Sequence, residues 1–163
     1  MSQLTPSNPT MSEPTIEPMS FDHVGLSVAS LDVSRRFYGE VLGFRTVEDC
    51  FALPAHEIKG LILLNGQGVR IELFQREGSQ PGRTGHPTEG ALTQGYFQFA
   101  LSVTDIHATF ARVVAAGAKP VLSPRIAPDG RALFAFIADP DGNLVEFLQR
   151  PVQAPAESGR AGS

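Results

Sequence analysis

The sequence predicts an α+β fold in which one βαβββ module occurs twice. Two observations carry this. The segment "FDHVGLSV" (Phe21–Val28) reappears 75 residues later as "YFQFALSV" (Tyr96–Val103), with Leu-Ser-Val identical in both. The segment "GVRIELFQ" (Gly68–Gln75) reappears 74 residues later as "GNLVEFLQ" (Gly142–Gln149), with Gly, Glu and Gln coincident. Two matches in the same order and at nearly the same offset describe a duplicated unit.

Each element follows from local pattern. Both opening segments alternate as strands do, with Val24, Leu26 and Val28, or Phe97, Phe99, Leu101 and Val103, on one face. A cap-forming residue follows, Ser30 in the first copy and Thr104/Asp105 in the second, suited to accept from a free helix N–H. Helical stretches come next, with Val33, Phe37, Val41 and Leu42 expected on the apolar face of the first and Ile106, Phe110, Val113 and Val114 on that of the second. Gly43 and Gly117 end them, because the left-handed conformation beyond a helix suits glycine. Three strands then follow in each copy: Phe44–Leu53, Ile58–Leu64 and Val69–Arg76, then Pro120–Ser123, Ala132–Ala138 and Leu144–Arg150. "DPDGN" (Asp139–Asn143) supplies turn chemistry between the last two. The organisation expected is a disordered extension over 1–20, a first module over 21–76, a Gly/Pro/Thr-rich linker or lid over 77–94, a second module over 95–150 and a disordered tail over 151–163.

Bulk composition narrows the function classes. The 163 residues carry a formal charge of −4, and the Lys and Arg residues are scattered, which gives no support to a nucleic-acid partner. The single cysteine, Cys50, excludes an intrachain disulfide and fits a reducing compartment; it reads as a packed or half-buried thiol. No run approaches the roughly 18 apolar residues of a membrane span, and the N-terminus lacks the features of a secretory signal, so the expected location is the cytoplasm.

The faces opposite the apolar ones carry His23, Gly25 and Ser27 in the first copy, and Gln98, Ala100 and Ser102 in the second. Glu72 and Glu146 sit within apolar runs in the last strand of each copy. A carboxylate buried there needs a cation or strong donors. By the repeat, His23 falls opposite Gln98 and Glu72 opposite Glu146. One imidazole, one amide oxygen and two carboxylates make a divalent-metal set if the copies pack about a pseudo-two-fold axis. Phe74, Phe134 and Phe136 are candidate walls of an apolar substrate pocket. The small residues leave that pocket room, and Arg76, or Arg70, offers a charge. His56, His86 and His107 read as exposed or structural, with His86 a possible lid group.

These residues resemble the vicinal oxygen chelate superfamily, the glyoxalase, bleomycin-resistance and extradiol-dioxygenase group. "FDHVGLSVASLDVSRRFYGEVLGF", "GVRIELFQ" and "DPDGNLVEFLQ" carry the resemblance, which spans Phe21–Arg150. It implies two βαβββ modules forming an open, barrel-like cleft around one divalent ion held by His23, Glu72, Gln98 and Glu146. The set is similar in composition to that of eukaryotic-type glyoxalase I, with His and Gln in opposite copies. An amide where the family's dioxygenases have a second His argues against redox-active iron and for Zn, Ni, Co or Mn.

The resemblance further implies a lyase or isomerase that moves protons through a metal-stabilised enolate or enediolate, with Glu146 as principal base and Glu72 as ligand and second base. Ser27 and Ser102 stand at inward positions where glutathione-using relatives place an Arg, so the pocket gives no clear support for glutathione. The alternatives are a biosynthetic enzyme (an isomerase, cyclase or dioxygenase) acting on an aromatic or polyketide-like substrate, an epimerase, and an antibiotic-binding resistance protein. The expected partners are a small-molecule substrate and a second copy in a homodimer. The site lies either within one chain or between two that exchange modules.

Overall fold

The computed structural model describes residues 19–82, 86–90, 92 and 94–151. The two ends expected to be disordered fall outside these residues, apart from 19, 20 and 151. The chain forms β1 (His23–Ser27), α1 (Leu31–Arg36) continued by a π-helical turn (Phe37–Val41), β2 (Thr46–Leu53), β3 (Ile58–Leu64) and β4 (Arg70–Arg76). A short α2 (Pro87–Gly90) precedes β5 (Gln98–Ser102), α3 (Ile106–Ala115), β6 (Lys119–Ile126), β7 (Leu133–Ala138) and β8 (Leu144–Gln149). Two four-stranded mixed sheets result, ordered β1-β4-β3-β2 and β5-β8-β7-β6, and neither closes on itself. In each, the first strand runs parallel to the last and the other pairs are antiparallel. β6 runs past the expected Ser123 to Ile126. It is an edge strand, and its register slips twice, which accommodates Pro120 and Pro124.

The repeat persists at the level of single hydrogen bonds. Gln75, closing β4, accepts from the Leu31 backbone N–H at 2.8 Å, and Gln149, closing β8, accepts from Ile106 N–H at 2.8 Å. Each glutamine thereby satisfies a first-turn N–H that the helix cannot. Ser30 and Asp105 cap the same helices through Val33 and Ala108. Gly43 and Gly117 take positive φ, 86° and 103°, as the helix ends require.

The inward face of α1 differs from expectation. Val33 is 42% exposed, and the buried stripe is Ser34, Phe37, Tyr38 and Val41, with Ser34 and Tyr38 fully enclosed. Two polar residues take core positions because the Asp139–Asn143 turn gives them partners. Tyr38 Oη donates to Asp139 Oδ2 at 2.8 Å, and Ser34 Oγ donates to Asp141 Oδ2 at 3.4 Å. Burial pushes the Tyr38 hydroxyl well above its ordinary pKa, so it remains a donor. Asp139 also accepts from the Asn143 side chain and from the backbone N–H groups of Asp141 and Asn143. A buried carboxylate with four donors is satisfied. The turn therefore ties the second copy to the helix of the first, and Ala29 N–H donating to Asp141 adds to the tie. One hydrophobic core runs through both copies, from Leu26, Tyr38, Phe44 and Ile71 to Ile106, Val113, Val145 and Phe147.

Candidate functional site

With the apolar sides of β1 and β5 turned to this core, His23, Gly25 and Ser27 face outward, as do Gln98, Ala100 and Ser102. The parallel pairings set Gly25 against Glu72 and Ala100 against Glu146. His23 Nε2 lies 3.1 Å from Glu72 Oε2. On the other side of the ring, Nδ1 lies 2.8 Å from Asp22 Oδ1. This bond to Asp22 is the main cause that raises the His23 pKa above its ordinary value; burial works against it, and the charge of Glu72 adds a smaller rise. In the second copy, Gln98 Nε2 donates to Glu146 Oε2 at 2.6 Å. Burial raises the Glu146 pKa, and the Gln98 bond partly offsets that rise.

Gln98 Oε1 is buried and has no hydrogen-bond partner among the described residues. With the amide nitrogen donating to Glu146, this oxygen is left without a donor. A buried acceptor left unsatisfied costs about 1–3 kcal/mol, so the arrangement calls for an electrophile. A hard divalent cation is such a group, and it suits the two carboxylates and the imidazole as well. The donor set therefore fits a divalent ion.

The four residues stand as two pairs, His23 with Glu72 and Gln98 with Glu146. Among the described residues, no three His, Cys, Asp or Glu side chains gather to hold an ion within one chain. Among the described residues the two pairs are therefore not gathered into one cluster of ionisable ligands.

Around these pairs, Phe74 lies on the Glu72 face, where a Cβ at Gly25 would come within 3.2 Å of its ring and 3.7 Å of Glu72 Oε2. Phe136 pairs across from Glu146 and is buried, with Phe134 edge-on to it at 6.1 Å. Ser27, Ser102 and Arg76 are exposed on the same faces. A cavity of about 470 Å³ opens beside β1, lined by Gly25, Ser27, Gln80, Tyr96 and Asp141 among others. A wider groove of about 650 Å³, with Arg35, Arg36 and Arg45 over Phe44 and Leu63, lies on the helix side of the first sheet and includes none of the four candidate ligands.

Sequence reasoning missed two features. Phe51 lies directly over Gly60 and packs edge-on against Phe74 at 5.6 Å. An isolated glycine inside a strand was the available signal. Asp22 carries no mark in the sequence, and its contact with His23 was the second such feature. Arg70, a candidate pocket charge in the sequence, is instead held by Glu48 through two bonds of 2.7 and 2.8 Å and sits opposite His23 in the β1–β4 register. Cys50, expected to be packed or half-buried, is exposed, because edge strand β2 turns it to solvent. His56 and His107 are exposed, and His86 engages Thr88.

Comparison with known proteins places this geometry. Residues 20–147 match the family model of the glyoxalase/bleomycin resistance protein/dioxygenase superfamily. The chain belongs to that superfamily. A probable lactoylglutathione lyase of Vibrio parahaemolyticus is 32% identical over 133 residues, covering 78% of this chain and 88% of the relative. A virulence protein of Salmonella typhimurium is 29% identical over 130 residues, covering 78% and 82%. Among solved structures, a glyoxalase family protein from Enterococcus faecalis superposes with a TM-score of 0.67 at 24% identity, over 79% of this chain and 96% of that one. This likeness bears on the fold. Relatives named as lactoylglutathione lyases thus share about 30% of their residues with this superfamily member, and no helix among the described residues is long and apolar enough to cross a membrane.

Proposed function

We propose that this protein is a divalent-metal-dependent, glyoxalase-like lyase or isomerase of a small carbonyl substrate, working as a homodimer whose sites are shared between chains. The observation that carries the reading is the stranded Gln98 Oε1 beside Glu146, in a fold whose other half presents His23 with Glu72. Within one chain the pairs stay apart, which supports a site assembled from His23 and Glu72 of one chain with Gln98 and Glu146 of another.

In such a site the four side chains hold the ion, which would supply Lewis acidity that draws charge from a substrate carbonyl. The chain's own groups do the rest. Glu146, with its pKa raised by burial, is poised to take a proton from the carbon beside a carbonyl and return it to the neighbouring carbon. Glu72 serves as ligand and second base. His23 and Gln98 fix the geometry as ligands and take no part as bases. Phe74, Phe134 and Phe136 exclude water from the reacting carbon, and Arg76 offers a charge to an anionic arm of the substrate. Ser27 and Ser102 stand where an anchoring arginine would be needed, so the thiol portion of any hemithioacetal substrate is left to experiment.

Purified protein loaded with Zn, Ni, Co or Mn and assayed on methylglyoxal hemithioacetals of glutathione and of other thiols tests the reading. Turnover that disappears on chelation and in Glu146→Gln supports it. Absence of bound divalent ion together with unchanged activity in Glu146→Gln refutes it. Tight binding of aromatic metabolites or antibiotics without turnover would instead mark a sequestering protein.

A further inference from the structure

The two copies treat their neutral ligand candidates differently. Gln98 follows Phe97 and stands opposite Leu144 in the β5–β8 register, in apolar company. His23 follows Asp22 and stands opposite Arg70 in the β1–β4 register. Arg70 is clamped by Glu48, and its charge helps keep Asp22 ionised. The polar string Glu48–Arg70–Asp22–His23 has no counterpart in the second copy.

The chemistry of the two ligands explains the asymmetry. An amide oxygen binds a cation without tautomeric choice, and Gln98 has its idle nitrogen held by Glu146. An imidazole must place its proton on one nitrogen to offer the other. Asp22 Oδ1, 2.8 Å from Nδ1, can only accept, so the proton facing it belongs to Nδ1. On the other side of the ring Nε2 faces the Glu72 carboxylate at 3.1 Å; when Nε2 gives its lone pair to an ion, the one remaining ring proton is on Nδ1, where Asp22 accepts it.

Building on the metal-site reading above, we infer that Asp22 is a positioning residue for the ion: it fixes the His23 tautomer and ring orientation so that Nε2 is presented beside Glu72. Partners of this kind change metal affinity by about 10–100-fold. The Asp22 side chain is 72% exposed, so the lower end applies.

The test is zinc affinity, measured by competition with a chromophoric chelator, for the wild type, Asp22→Ala, Asp22→Asn and His23→Ala, with imidazole ¹⁵N NMR of the metal-free proteins alongside. The inference expects Asp22→Ala to bind zinc about tenfold more weakly. Asp22→Asn, which keeps a neutral acceptor, should fall between the two. The hydrogen-bonded Nδ1 proton signal should be lost in Asp22→Ala and retained in Asp22→Asn. Zinc affinity unchanged in Asp22→Ala but weakened in His23→Ala overturns the role of Asp22 alone. Unchanged affinity in His23→Ala overturns the metal-site reading together with it.

Discussion

Gln98 and Glu146 are joined by a 2.6 Å hydrogen bond in which the amide nitrogen is the donor, and the amide oxygen is left buried without a partner among the described residues. Removing the side chain therefore removes a group that costs the metal-free protein something. Gln98→Ala should leave the melting temperature of the metal-free protein close to wild type while weakening zinc binding by at least about tenfold. Gln98→Glu should do the reverse: it sets a second carboxylate against Glu146, lowers stability without metal, and regains it when zinc is added. Thermal melts with and without zinc check both.

The bond from Tyr38 to Asp139 joins the two copies through residues that are not candidate ligands. Tyr38→Phe deletes the hydroxyl and leaves Asp139 with three donors. Chemical denaturation should show a loss of about 1–3 kcal/mol, with zinc affinity unaltered. A large change in zinc affinity would mean that this tie also shapes the metal-binding faces.

Proton release should accompany metal uptake. His23 and Glu146 both have raised pKa values in the metal-free protein, so both hold protons to higher pH than free side chains do. The ion must displace those protons. Affinity is thus full above the raised His23 value and falls as pH drops through it, from somewhat above the ordinary 6.5 downward, with Glu146 adding a further fall at lower pH. Calorimetry in buffers of different ionisation enthalpy measures the protons released, and uptake independent of pH between about 5 and 8 would contradict this.

Gly25 leaves space for the Glu72 carboxylate and the Phe74 ring. A Cβ there meets Phe74 at 3.2 Å, a distance the ring can relieve with a small shift, but a branched side chain would also press on Glu72. Gly25→Ala should retain zinc binding within a few-fold, whereas Gly25→Val should reduce it by about tenfold or more. Equal affinities in the two variants would contradict the placement.

Much of this was legible in the sequence because the repeat repeats its hydrogen bonds. Glu72 with Glu146, His23 with Gln98, and Gln75 with Gln149 recur because equivalent positions do equivalent work. What the repeat concealed is where the copies differ. Ser34 and Tyr38 lie outside the apolar face that periodicity assigns to α1, yet the Asp139–Asn143 turn makes them core residues. That contact joins positions about a hundred residues apart, and helical periodicity weighs only near neighbours. Asp22 escaped notice because its counterpart in the second copy is Phe97, so the repeat does not mark it. The alternation of β1 and β5 showed which side chains share a face. It carried no information on whether the two faces meet within one chain.

That last point is the central claim and can be tested directly. His23→Ala and Glu146→Gln variants, each deficient in metal binding, are unfolded and refolded together, and zinc stoichiometry and turnover are measured on the mixture. If sites are shared between chains, each mixed dimer holds one site built wholly from unaltered residues. Random pairing would then restore roughly a quarter of the wild-type sites. If every site lies within a single chain, the mixture will bind and turn over no more than the average of the separate variants, and the shared-site account is wrong.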